Sequence, residues 1–217
     1  MKNITWLQPG DPPGAFPPVE GALDEPAGLL AAGGDLSPER LIGAYRRGIF
    51  PWYSAGEPVL WWSPDPREVL FPHEFHTSRS LRRVLRLAHF SVTENRDFSA
   101  VMAGCATARG PRTGTWLTAQ MREAYQQLHV LGVAASIEVW AGQELVGGLY
   151  GVRSGRVFSG ESMFSRRDNA SKVALEWVAR HCAGRGIELI DCQMPSAHLR
   201  SLGSRPLARA EFVRYLI

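Results

Sequence analysis

The sequence predicts an α+β protein, with a small N-terminal α/β lobe over residues 1–65 and a larger domain over residues 66–217. Three observations predict it. Twelve of the 15 prolines fall at or before Pro72, so the first third of the chain is rich in turns and the rest is more regular. From about Ala134 the chain reads as β-rich segments joined by hairpin signals. A long apolar helix and one further strand follow, which makes the central sheet mainly antiparallel.

The elements can be justified in order. In "LSPERLIGAYRRGIF" Ser37 stands at the N-cap and Pro38 in the first turn; Leu41, Ile42 and Tyr45 line one face, and Gly48 stops the helix. "PWYSAGEPVLWWSPDPR" holds three tryptophans and four prolines. Residues 78–86 read as an arginine-faced helix and 99–108 as another. "ASIEVW" and "ELVGGLYGV" are strands joined at Ala141-Gly142-Gln143, and "RVFSGESMF" is the next strand after Ser154-Gly155. Helix 169–183, with Asn169 placed to cap it, carries Val173, Ala174, Leu175, Trp177, Val178 and Cys182 over more than one face, so it is buried on more than one side. A strand ending at Asp191 follows.

Composition excludes several classes. With 45% apolar and 21% charged residues the chain is an ordinary globular protein. No stretch approaches the ~20 apolar residues of a membrane span. The N-terminus lacks the apolar core of a secretory signal. Three scattered cysteines without a CxxC argue against a disulfide scaffold or zinc ribbon. A cytoplasmic protein is expected, without metal or cofactor. The net charge is only +3, but lysine occurs twice and the other 22 cations are arginine. Genomic base composition accounts for that bias as well as function does, so placement has to decide. Arg79, Arg82, Arg83 and Arg86 fall at i, i+3, i+4 and i+7 and make one basic stripe, which is either a solvated face or a polyanion contact.

Familiar motifs fail on inspection. "GGLYGVRSG" lacks the order of a dinucleotide loop, and "GESMF" has Phe164 where a nucleophile elbow needs glycine. His73 and His76 lack a third metal ligand. In "IELIDCQMPSAHLRSLG" a buried strand ends in a carboxylate, a thiol and an amide. A neighbouring carboxylate disfavours the Cys192 thiolate, and strand alternation turns Cys192 away from Asp191 and Gln193. Asp191 and Gln193 then share a face, as a structural pair or as a functional one. Glu161 is a second acidic candidate, or a surface strand residue.

Taken together, "GGDLSPERLIGAYRRGIFPWY", "LWWSPDPR", "GTWLT", "FSGESMFSRRDNASKVAL" and "LIDCQMPSAHLRSLG" resemble the leucyl/phenylalanyl-tRNA–protein transferase family, over most of the chain and in the family's order. The resemblance implies a larger domain like the GCN5-type acetyltransferases. It implies a bacterial enzyme that moves leucine or phenylalanine, and also methionine, from aminoacyl-tRNA to an acceptor protein beginning with Arg or Lys, marking it for degradation. By the same resemblance Asp191 and Gln193 are the catalytic pair, Asp191 orienting the Gln193 amide, and Glu161 contacts the aminoacyl group or the acceptor. Trp52 and Trp116 hold the 3′ adenosine, and Arg79, Arg82, Arg83 and Arg86 contact the acceptor stem. The acyl side chain needs an apolar pocket, for which Leu149, Met163, Leu175, Val178, Cys182 and Ile190 are candidates, core packing being the alternative for each. A monomer is expected. Two other functions compete: a CoA-dependent acyltransferase, against which "RRDNASK" lacks the glycine-rich turn that would cradle a pyrophosphate, and a tRNA-binding protein without transfer activity.

Overall fold

The computed structural model describes residues 3–8, 10–87, 89–107 and 117–217. The first lobe holds β1 (Thr5–Leu7), β2 (Leu29–Gly33), α1 (Pro38–Tyr45), β3 (Phe50–Pro51) and β4 (Leu60–Trp62), in a four-stranded sheet of order β1-β2-β4-β3. Next come β5 (Arg67–Leu70), α2 (Arg79–Leu87), β6 (Ser91–Glu94), α3 (Phe98–Thr107) and α4 (Ala119–Val130). The chain continues through β7 (Ala134–Ala141), β8 (Glu144–Ser154), β9 (Val157–Ser165), α5 (Ala170–His181), β10 (Leu189–Gln193), α6 (Ala197–Ser201), β11 (Arg205–Leu207) and α7 (Arg209–Phe212). The larger sheet has the order β11-β5-β10-β9-β8-β7-β6, and only its β9–β10 pair is parallel.

The hairpins form where the sequence places them. Gly142 (φ 65°) and Gly155 (φ 55°) take the left-handed backbone of tight turns, which a Cβ disfavours. The caps differ from expectation. Ser37 makes no side-chain cap bond; its backbone N–H donates to Asp35 (2.9 Å), and the buried Arg40 donates to the same carboxylate. Asn169 is left-handed (φ 68°) and caps nothing, while the Ser165 hydroxyl accepts from Ser171 N–H at the start of α5 (2.8 Å).

Sequence reading missed α4. Its signals are a Thr118 cap, which accepts from Met121 N–H (3.2 Å), and the buried stripe Met121, Ala124, Tyr125 and Leu128 at i, i+3, i+4 and i+7.

Strand alternation divides the core into two layers around the larger sheet. On one face Tyr150 and Phe164 pack with Phe98, Met121 and Tyr125, and the same cluster takes in Leu41, Tyr45, Phe50 and Trp61 of the first lobe. On the other face α5 lays Val173, Leu175, Val178 and Cys182 on Leu149, Phe158 and Ile190.

Candidate active site

The site arises from a split in the larger sheet. β9 and β10 run in register through Val157–Leu189, Phe158–Ile190 and Ser159–Asp191. Beyond that pair β9 continues to Ser165 on β8 alone, while β10 ends two residues later. The strands part, and a cleft of about 460 Å³ opens between them. Its walls include Leu149, Met163, Leu175 and Ile190, with Phe50 and Trp52 from the first lobe and Leu199 from α6. That volume suits a small-molecule-sized group in a mainly apolar setting.

Two β-bulges aim the polar side chains. In β9 the register passes from Gly160 to Ser162 opposite Gly151 and Tyr150, so Glu161 is the extra residue. In β10 it passes from Asp191 to Gln193 opposite Val69 and Glu68, so Cys192 is extra and Gln193 takes φ 62°. Bulges redirect side chains that simple alternation would send elsewhere. Here they let Gln193 Nε2 donate to Glu161 Oε1 across the gap (2.8 Å). The Gln193 amide oxygen has no protein donor among the described residues, and Gln193 lines the cleft.

Asp191 is fully buried and fully engaged. Arg67, 1% exposed, donates Nε and Nη2 to its two oxygens, each at 2.8 Å. The Ser159 hydroxyl donates to Oδ2 (3.1 Å), and the Gln193 backbone N–H to Oδ1 (2.9 Å). Asp191 therefore holds Gln193 by its main chain; Glu161, not Asp191, holds the amide. Arg67 is itself fixed by donation to Gly48 carbonyl (3.2 Å) and by the rings of Phe50 (4.6 Å) and Phe212 (4.8 Å).

Glu161 is buried, not a surface strand residue. Burial pushes its carboxyl up to about 7, against hydrogen bonds from Tyr125 and Tyr45 that lower it. Tyr125 donates to Glu161 Oε2 (2.8 Å), and the Tyr45 hydroxyl lies 2.6 Å from that of Tyr125. Cys192 borders the cleft, and burial beside Asp191 pushes its thiol far up; Cys105, also on the wall, is pushed up to about 12 by burial. Neither is poised as a thiolate nucleophile.

Comparison with known proteins identifies the chain. A family model described as leucyl/phenylalanyl-tRNA protein transferase matches residues 69–217, and the model of that family's N-terminal domain matches residues 34–65. The chain belongs to the leucyl/phenylalanyl-tRNA–protein transferase family. It is a transferase. A relative so named from Pseudomonas aeruginosa PAO1 is 59% identical over 213 residues, 98% of this chain and 93% of its own. One from Azotobacter vinelandii is 59% identical over 203 residues, 94% and 90% of the two chains. Among solved structures, a GCN5-related N-acetyltransferase from Kribbella flavida is 12% identical, with a TM-score of 0.41 over 76% of this chain and 58% of that one, a likeness too slight to bear on function.

Measured against what membership of this transferase family implies, the structure brings Glu161, Asp191, Gln193, Leu149, Met163, Leu175, Ile190 and Trp52 to one cleft. Val178 and Cys182 are not on its wall; they are buried under the sheet. The spacing i, i+3, i+7 shares a face but advances about 10 Å along the axis, so only Leu175 reaches the opening. Trp52, 38% exposed, stands at the rim with its ring 5.7 Å from that of Trp62. Trp116 lies outside the described residues. Arg79, Arg82, Arg83 and Arg86 are all exposed on α2 and form no ion pair among the described residues. Sequence reading missed Arg67 and Tyr125 as parts of the site and took Tyr45 only as a helix-face residue. The invisible signal for Arg67 was its buried carboxylate partner 124 residues away.

Proposed function

We propose that the protein transfers leucine or phenylalanine, and also methionine, from aminoacyl-tRNA to the N-terminal Arg or Lys of acceptor proteins, marking them for degradation in the cytoplasm, and that it acts as a monomer. The observation that carries this reading is the Gln193 amide, fixed by Glu161 at the wall of an apolar cleft in a chain of this family.

The donor's side chain enters the pocket of Leu149, Met163, Leu175 and Ile190, and Trp52 stacks on the terminal adenine, a contact worth ~1–3 kcal/mol. The α2 arginines meet the acceptor stem. The acceptor's α-amine has a reference pKa near ~7.7–8.0 and attacks as the neutral amine. Its nitrogen bonds to the ester carbonyl carbon, the bond from that carbon to the 3′-terminal ribose oxygen breaks, and the surplus proton passes from nitrogen to that oxygen. The Gln193 amide oxygen accepts a hydrogen bond from the amine. An amide is too weak a base to do more, so Gln193 orients rather than deprotonates. Asp191, neutralised by Arg67, shapes the bulge that holds Gln193. Holding amine and activated ester together can supply up to ~7–11 kcal/mol of the barrier.

The test is to incubate the protein with Leu-tRNA and a peptide beginning with Arg, then weigh the peptide. A mass gain of one leucyl residue is expected. Retained tRNA affinity with no gain for Leu, Phe or Met donors would overturn the reading in favour of a tRNA-binding protein.

A further inference from the structure

Behind Gln193 and Glu161 a polar chain runs inward to two tyrosines that the transfer reaction does not use. It links α1, α4 and β9: Tyr45 hydroxyl to Tyr125 hydroxyl at 2.6 Å, Tyr125 hydroxyl to Glu161 Oε2 at 2.8 Å, and Gln193 Nε2 to Glu161 Oε1 at 2.8 Å. All three residues behind Gln193 are buried, in the core cluster or at its edge. Burial of phenols and a carboxylate together is costly unless each polar atom has a use, and here every member but the last points its group at the next. The last member is the side-chain amide of Gln193, a residue of the cleft wall.

An amide has two ends. While Glu161 is ionised it only accepts, so the amide must turn its nitrogen to Glu161 and its oxygen to the cleft. A neutral Glu161 brings a donor of its own among groups that already donate to it, and the amide is no longer held in one orientation. We propose that Glu161 is a positioning residue whose ionised form fixes the Gln193 amide with its oxygen toward the substrates, and that Tyr125, braced by Tyr45, is the positioning residue that keeps Glu161 ionised inside the core. This rests on the transfer activity proposed above and specifies how its key amide is oriented.

The groups around Glu161 fit that assignment. Tyr45 of α1, Tyr125 of α4 and Tyr150 of β8 face it, with Asp191 of β10 and Arg67 of β5 acting at longer range and Cys105 of α3 beside Tyr150. Burial is the largest influence and opposes ionisation, Asp191 opposes it too, and Tyr125, Tyr45 and Arg67 favour it. The carboxyl consequently sits at about 7, where loss of one donor changes its state at working pH.

The experiment measures single-turnover transfer from Leu-tRNA to an Arg-starting peptide against pH for the intact protein, Tyr125→Phe and Tyr45→Phe, with thermal melts to verify folding. The acceptor amine contributes the same limb to every profile, so the difference between proteins is the readout. Losing a hydrogen bond to a charged acceptor corresponds to ~1–2 pH units. The acid limb of Tyr125→Phe should move up by that amount, that of Tyr45→Phe should move up less, and the KM for aminoacyl-tRNA should stay unchanged in both. Glu161→Gln should lose the enzyme's limb and keep the amine's. Superimposed profiles from folded variants would overturn the proposal while leaving the activity standing; if the intact protein transfers at no pH, the functional reading itself has failed. Should Tyr125→Phe not fold, Tyr45→Phe alone decides, since a purely structural role would lower the melting point without moving the limb.

Discussion

Arg67→Met is the most informative single change at this site. The side chain is buried and spans four partners: both oxygens of Asp191 at 2.8 Å, the Gly48 carbonyl, and the rings of Phe50 and Phe212. Methionine keeps much of the volume and removes the charge. Asp191, with 0% exposure, is then left with the Ser159 hydroxyl and the Gln193 N–H as its only donors among the described residues. Breaking a buried pair from one side costs about 3–5 kcal/mol. For a chain of this size each kcal/mol corresponds to about 2–4 °C, so the melting point should fall by roughly 6–20 °C. The decisive comparison is Arg67→Met/Asp191→Asn, in which the remaining partner is neutral and its oxygen can still accept from Gln193 N–H. A thermal-melt series on the four proteins of the cycle should show the double variant more stable than Arg67→Met alone. Transfer activity should follow the same order, because the bulge that carries Gln193 is what the pair shapes. Additive losses would refute the reasoning and assign Arg67 to its aromatic contacts instead.

Gln193→Ala should lower kcat by an amount equivalent to about 2–4 kcal/mol, comparable to loss of one positioned polar contact, with KM for aminoacyl-tRNA little changed; Cys192→Ala should keep most activity, and an inactive, folded Cys192→Ala would restore a role for the thiol. Leu175→Phe should penalise Phe transfer more than Leu transfer, by a difference on the order of 1–3 kcal/mol, whereas Val178→Ala should lower the melting point and leave the donor ratio as it was. Arg79→Glu with Arg83→Glu should weaken tRNA binding and flatten its salt dependence with little effect on stability, and an unchanged salt slope would assign the stripe to solvent. For stability against pH, the Glu161 carboxyl rises from 4.5 to about 7 on folding, so its contribution is fully present below about 4.5 and is lost as pH rises through about 7. Denaturant titrations should show Glu161→Gln gaining on the unsubstituted protein over that window by roughly 3 kcal/mol at most.

What the sequence determined by itself is what local pattern can carry. Two glycine turns and alternating strands declared the β7–β8–β9 meander, and the apolar faces of 169–183 declared a helix buried against it, observed at Ala170–His181. Long motifs in a fixed order declared the family. The exposed arginines of α2 were legible because a helix face is set by spacing alone. Helix α4 was equally legible from Thr118 and its stripe, and was missed because its Gln- and His-bearing surface hides a modest apolar face. Tertiary structure alone decided the chemistry's geometry. Alternation predicts that Asp191 and Gln193 share a face and that Glu161 continues its strand, but bulges at Cys192 and Glu161 re-aim all three. A bulge depends on what the neighbouring strand offers for pairing: β5 lies far from Gln193 in sequence, and although β8 adjoins β9, local pattern does not show where their register slips. The partners that matter, Arg67 for Asp191 and Tyr125 for Glu161, are likewise brought close only when strands and helices distant in sequence pack together in the larger domain. Even the failure of Val178 and Cys182 to reach the cleft follows from this: periodicity says which face of a helix is buried, and only packing says how far along that face the sheet stays closed.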